Sequence, residues 1–321
     1  VAIVQQQVVF FPTILYDEDK PTSEISTTQQ GETQMEQVTK NVYAETKIRG
    51  CNPAYVVTSA GVVVIDTPQL PTYAVRMRKE AESHGEIRYL INTEYHVDHI
   101  FGNYYFRGAG IVVAHTETAN NFMTVTPEIN PYEYAHEAIP TDDPGGEKIW
   151  PDEKTYFADP NRPTIVFDHD LTIYVGDHTF QLIHTPGHTP GQLAVYIPEE
   201  RLAVLGDTIF NGVQTWLYAS NVDQWIESLD RLKKLDVDKI VPGHGPVCTR
   251  HELDVQKAFL LEWIAAVQSA IARGMSKEQC VKHIKESEFS RRFAVDIGQE
   301  YMLDHVIEHN ASALYDKLKA K

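Results

Sequence analysis

Short apolar runs with few polar interruptions recur along the chain from Ala54 onward. "AYVVTS" (54–59), a turn at Ala60-Gly61 and "VVVIDTP" (62–68) predict a β-hairpin. The unbroken valines of its second arm predict a strand buried on both faces. Residues 72–83 carry helical spacing, and "IRYLINT" (87–93) and "GIVVAH" (110–115) predict two more buried strands. Strands resume at "TIVF" (164–167), "LTIYV" (171–175), "TFQLIH" (179–184), "LAVYI" (193–197) and "RLAVLGD" (201–207). Helical periodicity covers 221–235, and "KIVPGHG" (239–245) is a last strand running into a loop. Beyond it the pattern predicts helix throughout. Leu260, Ile264, Val267 and Ile271 recur at helical spacing, Gly274 supplies a stop, and Ser276 with Gln279 makes a capping-box signal for the next helix.

Two β-rich halves, each followed by helices, predict an α/β fold of the αββα sandwich type. Residues 41–250 form its body and 251–321 a C-terminal helical extension of the same domain. Residues 1–40, rich in Gln, Thr, Ser and Glu after an apolar opening, read as an extended arm packed on the body or on a neighbouring subunit. The stretch 116–163 is rich in Pro, Asp, Glu and Tyr and too long for a simple connection, so it predicts a lid or insertion. Its aromatics, including Phe122, Tyr132, Tyr134, Trp150 and Tyr156, either line a pocket or anchor the insertion to the body.

At 321 residues, 42% hydrophobic and 23% charged, the composition is that of an ordinary globular protein. No run approaches the roughly 18–20 continuous apolar residues of a membrane span. A formal net charge of −17 argues against nucleic acid as the main partner and leaves a small-molecule substrate open. Cys51, Cys248 and Cys280 form no CxxC pair, so no disulfide framework is expected. The first residue is Val1, so an export signal removed before it and a trimmed start both stay open, and with them a cytoplasmic or a periplasmic location. The arm and the amphipathic C-terminal helices suit either a homodimer or packing within one chain.

Fourteen histidines are more telling. "NTEYHVDHIFG" (92–102), "HTPGHTPG" (184–191), "LGDTIF" (205–210) and "VPGHGP" (241–246) each leave a predicted strand and hold His or Asp in a restrained loop. Rigid loops can present imidazole and carboxylate donors to zinc with little ordering cost. Converging at one sheet edge they would supply Glu94, His96, Asp98, His99, His188, Asp207 and His244, enough for two metals and one bridging carboxylate. Any one histidine alone is more often a hydrogen-bonded structural residue, and for His184, four residues before His188, that reading prevails.

The four stretches, in this order and spacing, resemble the metallo-β-lactamase superfamily. That family's first motif is His-x-His-x-Asp-His, where this chain has Glu94-Tyr-His96-Val-Asp98-His99. His188, Asp207 and His244 match the later ligands, and Asp66 matches an aspartate that supports the metal loop from behind. The resemblance covers roughly residues 45–250. It implies one position with residues 94, 96 and 188, another with Asp98, His99 and His244, and Asp207 between them. A carboxylate at 94 adds negative charge and a harder oxygen. The first position would then bind zinc weakly, or prefer iron or manganese, or release Glu94 to act as an acid, a base or an orienter of water. The expectation is one secure zinc on the Asp98, His99 and His244 side, with occupancy of the other left open.

Zinc acidifies coordinated water from 15.7 toward about 7, and the hydroxide so formed attacks an electron-poor centre. Asp98 suits a proton shuttle, Glu94 a catalytic carboxylate, and Asn211 either a hydrogen-bond donor near the metal or a turn former ahead of Gly212. Trp216, Trp150 and Tyr132 are candidate substrate contacts, Trp225 a wall or a core residue. The acidic chain disfavours the family's nucleases. The altered first motif and the aromatic insertion are similar to hydrolytic dehalogenases acting on haloaromatics such as chlorothalonil; lactone, ester or β-lactam hydrolysis is the alternative. A di-iron oxidoreductase and a non-catalytic binding protein are rivals from other classes. Flavodiiron relatives place Glu at the motif's second position instead, and a binding protein would not keep six of seven ligands.

Overall fold

The computed structural model describes residues 35–126 and 129–320. Most of the expected N-terminal arm therefore lies outside the described residues. Two sheets face each other. The first runs in chain order: β1 (Glu36–Gln37), β2 (Val42–Ala44), β3 (Ala54–Thr58), β4 (Gly61–Ile65), β5 (Ile87–Asn92), β6 (Ile111–His115) and β7 (Ile165–Phe167). The second, from its far edge, is β8 (Leu171–Val175), β9 (His178–His184), β10 (Leu193–Ile197), β11 (Leu202–Val204) and β12 (Lys239–Val241).

Alternation within the valine run of β4 explains its unbroken hydrophobicity. Val63 and Ile65 point between the sheets, meeting Phe180, Leu182, Val195 and Val204. Val62 and Val64 point outward, where Ala74, Met77 and Ala81 of helix α1 (Pro71–His84) cover them. Pro71 at the helix start fits the position whose N–H has no intrahelical partner. After α1 the chain is parallel from β4 through β7, so successive strands leave at the same edge. Short helices α2 (Val97–Ile100) and α3 (Thr116–Asn121) follow β5 and β6 there.

The expected insertion folds as α4 (Pro131–His136), α5 (Ile139–Asp142) and α6 (Glu153–Ala158). On the outer face of the second sheet, Ile183, Ala194 and Ala203 pack against α7 (Val222–Leu232), α8 (Glu252–Ala272), α9 (Lys277–Lys285) and α10 (Leu303–Lys319). The layers are thus αββα, as expected. Ser276 and Gln279 form the reciprocal cap of α9. No helix among the described residues is long and apolar enough to cross a membrane.

One expectation is corrected. The tail is not helical throughout, because residues 286–302 leave α9 as turns and short 3-10 segments before α10 begins. Gly298 has a φ of +73°, outside helical space, and Gln214 N–H bonds the Ala294 carbonyl at 2.8 Å. The segment is thereby stitched to the loop after Asp207 instead of continuing a helix.

Candidate metal centre

Four loops meet where the strands end. Their donors form two compact groups, Glu94, His96, His188 and Asp207 in one and Asp98, His99 and His244 in the other. Four donors at about 2.0–2.2 Å from a tetrahedral ion lie roughly 3.4 Å apart. In the second group His99 Nε2 is 3.0 Å from Asp207 Oδ1 and 3.7 Å from Asp98 Oδ2. His244 Nε2 is 3.3 Å from Asp207 Oδ1 and 3.4 Å from Asp98 Oδ2. In the first, His188 Nε2 lies 3.1 Å from His96 Nδ1, 3.2 Å from Asp207 Oδ2 and 3.7 Å from Glu94 Oε1. Asp207 turns one oxygen to each group, the geometry of a shared carboxylate.

Glu94 is fully buried, so it is no surface residue. Its Oε1 stands 2.9 Å from His96 Nδ1 and 3.3 Å from His99 Nε2, and its Oε2 accepts the His96 N–H at 3.3 Å. One carboxylate oxygen thus faces three imidazoles, those of His96, His99 and His188.

Three of the four imidazoles are aimed from behind. His99 Nδ1 is 2.9 Å from Asp66 Oδ2, whose two oxygens also accept the Thr93 N–H and hydroxyl at 2.7 and 2.6 Å. Asp66 takes a left-handed φ of +54°, a conformation Asp tolerates better than most residues, and this turns the chain out of β4 beneath the site. His188 Nδ1 meets the Trp216 carbonyl at 3.1 Å, and His244 Nδ1 meets Asp296 Oδ2 at 2.7 Å. These partners fix the proton on the rear nitrogen and leave Nε2 as the donor. Gly243 makes the approach possible, since a Cβ there would fall 2.0 Å from Asp207 Oδ1.

The electrostatics match a site built for positive charge. Burial opposes ionisation of all these groups, yet His244, His99 and His188 hold Asp207 well below the ordinary carboxylate range. Against the same burial, Asp207 and Asp296 hold His244 well above the usual imidazole range. His99 Nε2 and Asp207 Oδ1 are buried and, among the described residues, make no hydrogen bond of acceptable geometry although 3.0 Å apart. A divalent cation satisfies lone pairs that face one another in this way, so the donor set fits the metal the sequence implies.

A cavity of about 120 Å³ opens onto the donors, lined by His96, Asp98, Tyr134, Trp216, Tyr218 and the amides of Gln69 and Gln299, among others. Of the expected substrate contacts, Trp216 lines it. Tyr132 and Trp150 do not. Trp150 stacks on Phe101 at 4.7 Å and donates to the Tyr132 hydroxyl at 2.6 Å, so this pair anchors the insertion to the body. Tyr134 and Ile129 are what the insertion offers the cavity instead. Asn211 is also corrected: its amide donates to the Pro246 carbonyl at 2.8 Å and its N–H to the His244 carbonyl, which secures the His244 loop. Trp225 is fully buried, bonded to the Thr208 carbonyl. His184 donates to the Pro190 carbonyl at 2.8 Å, as expected of a strand-end residue.

Two sheets flanked by helices, with paired donor groups at their common edge, define a metal-dependent hydrolase. The family model "Metallo-beta-lactamase superfamily" matches residues 47–244, well over half of the chain. The chain therefore belongs to the metallo-beta-lactamase superfamily. It is 27% identical over 200 residues to the human acyl-coenzyme A thioesterase MBLAC2, a match covering 57% of this chain and 68% of that protein. Three vertebrate thioesterases of that name, including the human one, are spanned over 32–68% of their length. It is 26% identical over 266 residues to the 2,4-dinitroanisole O-demethylase subunit alpha of Nocardioides sp. (strain JS1661), covering 78% of this chain and 70% of that one. A beta-lactamase domain protein from Burkholderia ambifaria shares the fold with a TM-score of 0.61 at 17% identity, over 89% of this chain and 88% of that chain.

Proposed function

We propose that this chain is a zinc-dependent hydrolase that puts a water-derived hydroxyl in place of the leaving group at an electron-poor carbon of a small aromatic compound. One observation carries the reading: two donor groups sharing Asp207 face a cavity of about 120 Å³ walled by Trp216, Tyr134 and Tyr218. That volume is somewhat less than the roughly 150 Å³ that holds one benzene ring, so at most a single ring enters and anything larger extends from the mouth.

Zinc, when bound, acidifies water and polarises the group under attack. Asp98, His99, His244 and Asp207 would hold the firmer ion, and Glu94, His96, His188 and Asp207 the other. Asp98, partly exposed to the cavity, is placed to take the proton of the attacking water on its carboxylate. Burial pushes the Tyr134 phenol up to about 12, and its place in the cavity wall sets it beside the substrate. Similarity to a protein named for 2,4-dinitroanisole, a nitro-substituted aryl ether, supports an activated ring as target. Dehalogenation of chlorothalonil is the same class of displacement. The second reading, hydrolysis of a thioester, ester, lactone or β-lactam, draws on the similarity to an acyl-coenzyme A thioesterase.

Elemental analysis of chelator-free protein, then turnover of 2,4-dinitroanisole, chlorothalonil, acyl-coenzyme A, nitrophenyl esters and a β-lactam, tests both. Zinc with release of methanol or chloride supports the first, zinc with acyl or lactam cleavage the second. Iron would favour the redox rival, and no metal the binding protein. A further expectation concerns Glu94. The substitution Glu94→His returns an imidazole to the first group and should raise zinc toward two ions per chain, measured as the metal-to-protein ratio. An unchanged ratio would remove Glu94 from the control of occupancy.

A further inference from the structure

Nine Asn and Gln residues are at least nine-tenths buried: Asn52, Gln69, Asn92, Asn103, Gln192, Gln214, Gln256, Gln299 and Asn310. Seven of their side chains bond to protein. Asn52 donates to the Pro242 and Gly245 carbonyls, Gln214 to those of Ser290 and Phe293, and Asn310 to that of Thr215. Asn92 and Asn103 pair with each other, Gln192 donates to the Leu193 carbonyl, and Gln256 to the Thr215 hydroxyl. The two exceptions, Gln69 and Gln299, have no side-chain partner among the described residues, and both line the cavity over the donor groups.

They reach it from distant parts of the chain. Gln69 lies between β4 and α1, and Gln299 follows Asp296 in the tail. The Gln69 amide lies over Gly50 beside Asp98: a Cβ on Gly50 would be 3.1 Å from both Gln69 Nε2 and the Asp98 Cβ. Neither side chain has an atom among the fully buried ones that lack a partner, so both amides open onto the cavity, where water or a ligand can complete them. Here the two amides share the cavity with two carboxylates, Asp98 and Asp207, which offer acceptors and no donors. The amide N–H groups can hold acceptor atoms of a substrate.

Resting on the aromatic-displacement reading above, we infer that Gln69 and Gln299 determine specificity by donating hydrogen bonds to acceptor substituents, nitro, nitrile or carbonyl, on the ring under attack. Such substituents are also those that withdraw electrons and activate the ring. One pair of contacts would therefore select for reactivity as well as shape. Trp216, Tyr134 and Tyr218 supply the flat apolar walls.

Binding of 1,3-dinitrobenzene, whose nitro groups stand meta and so do not activate each other for displacement, separates recognition from turnover. Its calorimetric Kd is compared with that of 1,3-diisopropylbenzene, which has a similar outline and no acceptors, in zinc-loaded protein. Wild type should prefer the dinitro compound. Gln69→Met and Gln299→Met keep the side-chain length and should each weaken dinitrobenzene binding about tenfold, the diisopropyl compound by less than twofold, with zinc content and melting temperature unchanged. Equal weakening of both probes, no change in either variant, or no preference in wild type would overturn the inference. If either Met variant fails to fold, the Gln→Glu exchange at that position, which removes the donors and adds a repelling charge, must abolish dinitrobenzene binding. Loss of the inference leaves hydrolysis intact if the substrate panel still turns over; zinc-free, inactive wild type would sink the reading beneath it.

Discussion

Replacing His244 by alanine is expected to release one ion per chain and to lower kcat/KM on the order of a thousandfold, the several kcal/mol that a bound ion contributes to the transition state. The reasoning is local. His244 Nε2 closes the second group against Asp98 Oδ2 and Asp207 Oδ1 at 3.4 and 3.3 Å. Without it His99 is the one imidazole left among carboxylates, a hard set that holds zinc less well. The first group keeps His96 and His188, so about one ion should remain if both positions are filled in the wild type. Metal content by elemental analysis and turnover on the best substrate decide the matter. Full activity with an unchanged metal ratio would refute the assignment.

The second large effect is expected at a residue that touches neither substrate nor ion. Asp296 Oδ2 accepts the His244 Nδ1 proton at 2.7 Å, and its Oδ1 accepts the Ile297 N–H at 2.8 Å, so the carboxylate is itself fixed. Asp296→Asn can turn its amide nitrogen toward the ring and drive the imidazole proton onto Nε2, the atom needed as a donor. Loss of such a partner costs 10–100-fold in metal affinity in known sites. Competition with a chromophoric chelator should therefore show one zinc position weakened by that factor and the other unmoved, with Asp296→Ala behaving similarly. Equal affinities in mutant and wild type would reduce Asp296 to a packing residue.

The donors were legible in the sequence because each sits in a short stretch where a buried strand ends in Gly, Pro or Asp, and both features are local. The strand "VVVIDTP" and the loop it feeds needed nothing from elsewhere in the chain to be read. Asp296 and Gln299 were invisible for the opposite reason. "AVDIGQE" has neither strand alternation nor helical spacing, and its importance comes from lying against a loop some fifty residues earlier in the chain. Gly298 was the available signal, since a glycine among helix-forming neighbours marks a break. Tyr132 and Trp150 misled because an aromatic residue can satisfy both its ring and its polar atom against another aromatic, and the sequence does not say which neighbour it finds. Asn211 misled in the same way, its amide being used by a backbone carbonyl of the adjoining loop.

The stitch between Gln214 and Ala294 bears on anyone who would shorten or recombine this protein. A fragment cut to the family's own limits, residues 47–244, would retain all seven donors and still lack the carboxylate that steers the last of them and one of the amides at the rim. Swapping in a foreign tail would leave the same deficit. Body and tail have to be inherited, or engineered, together.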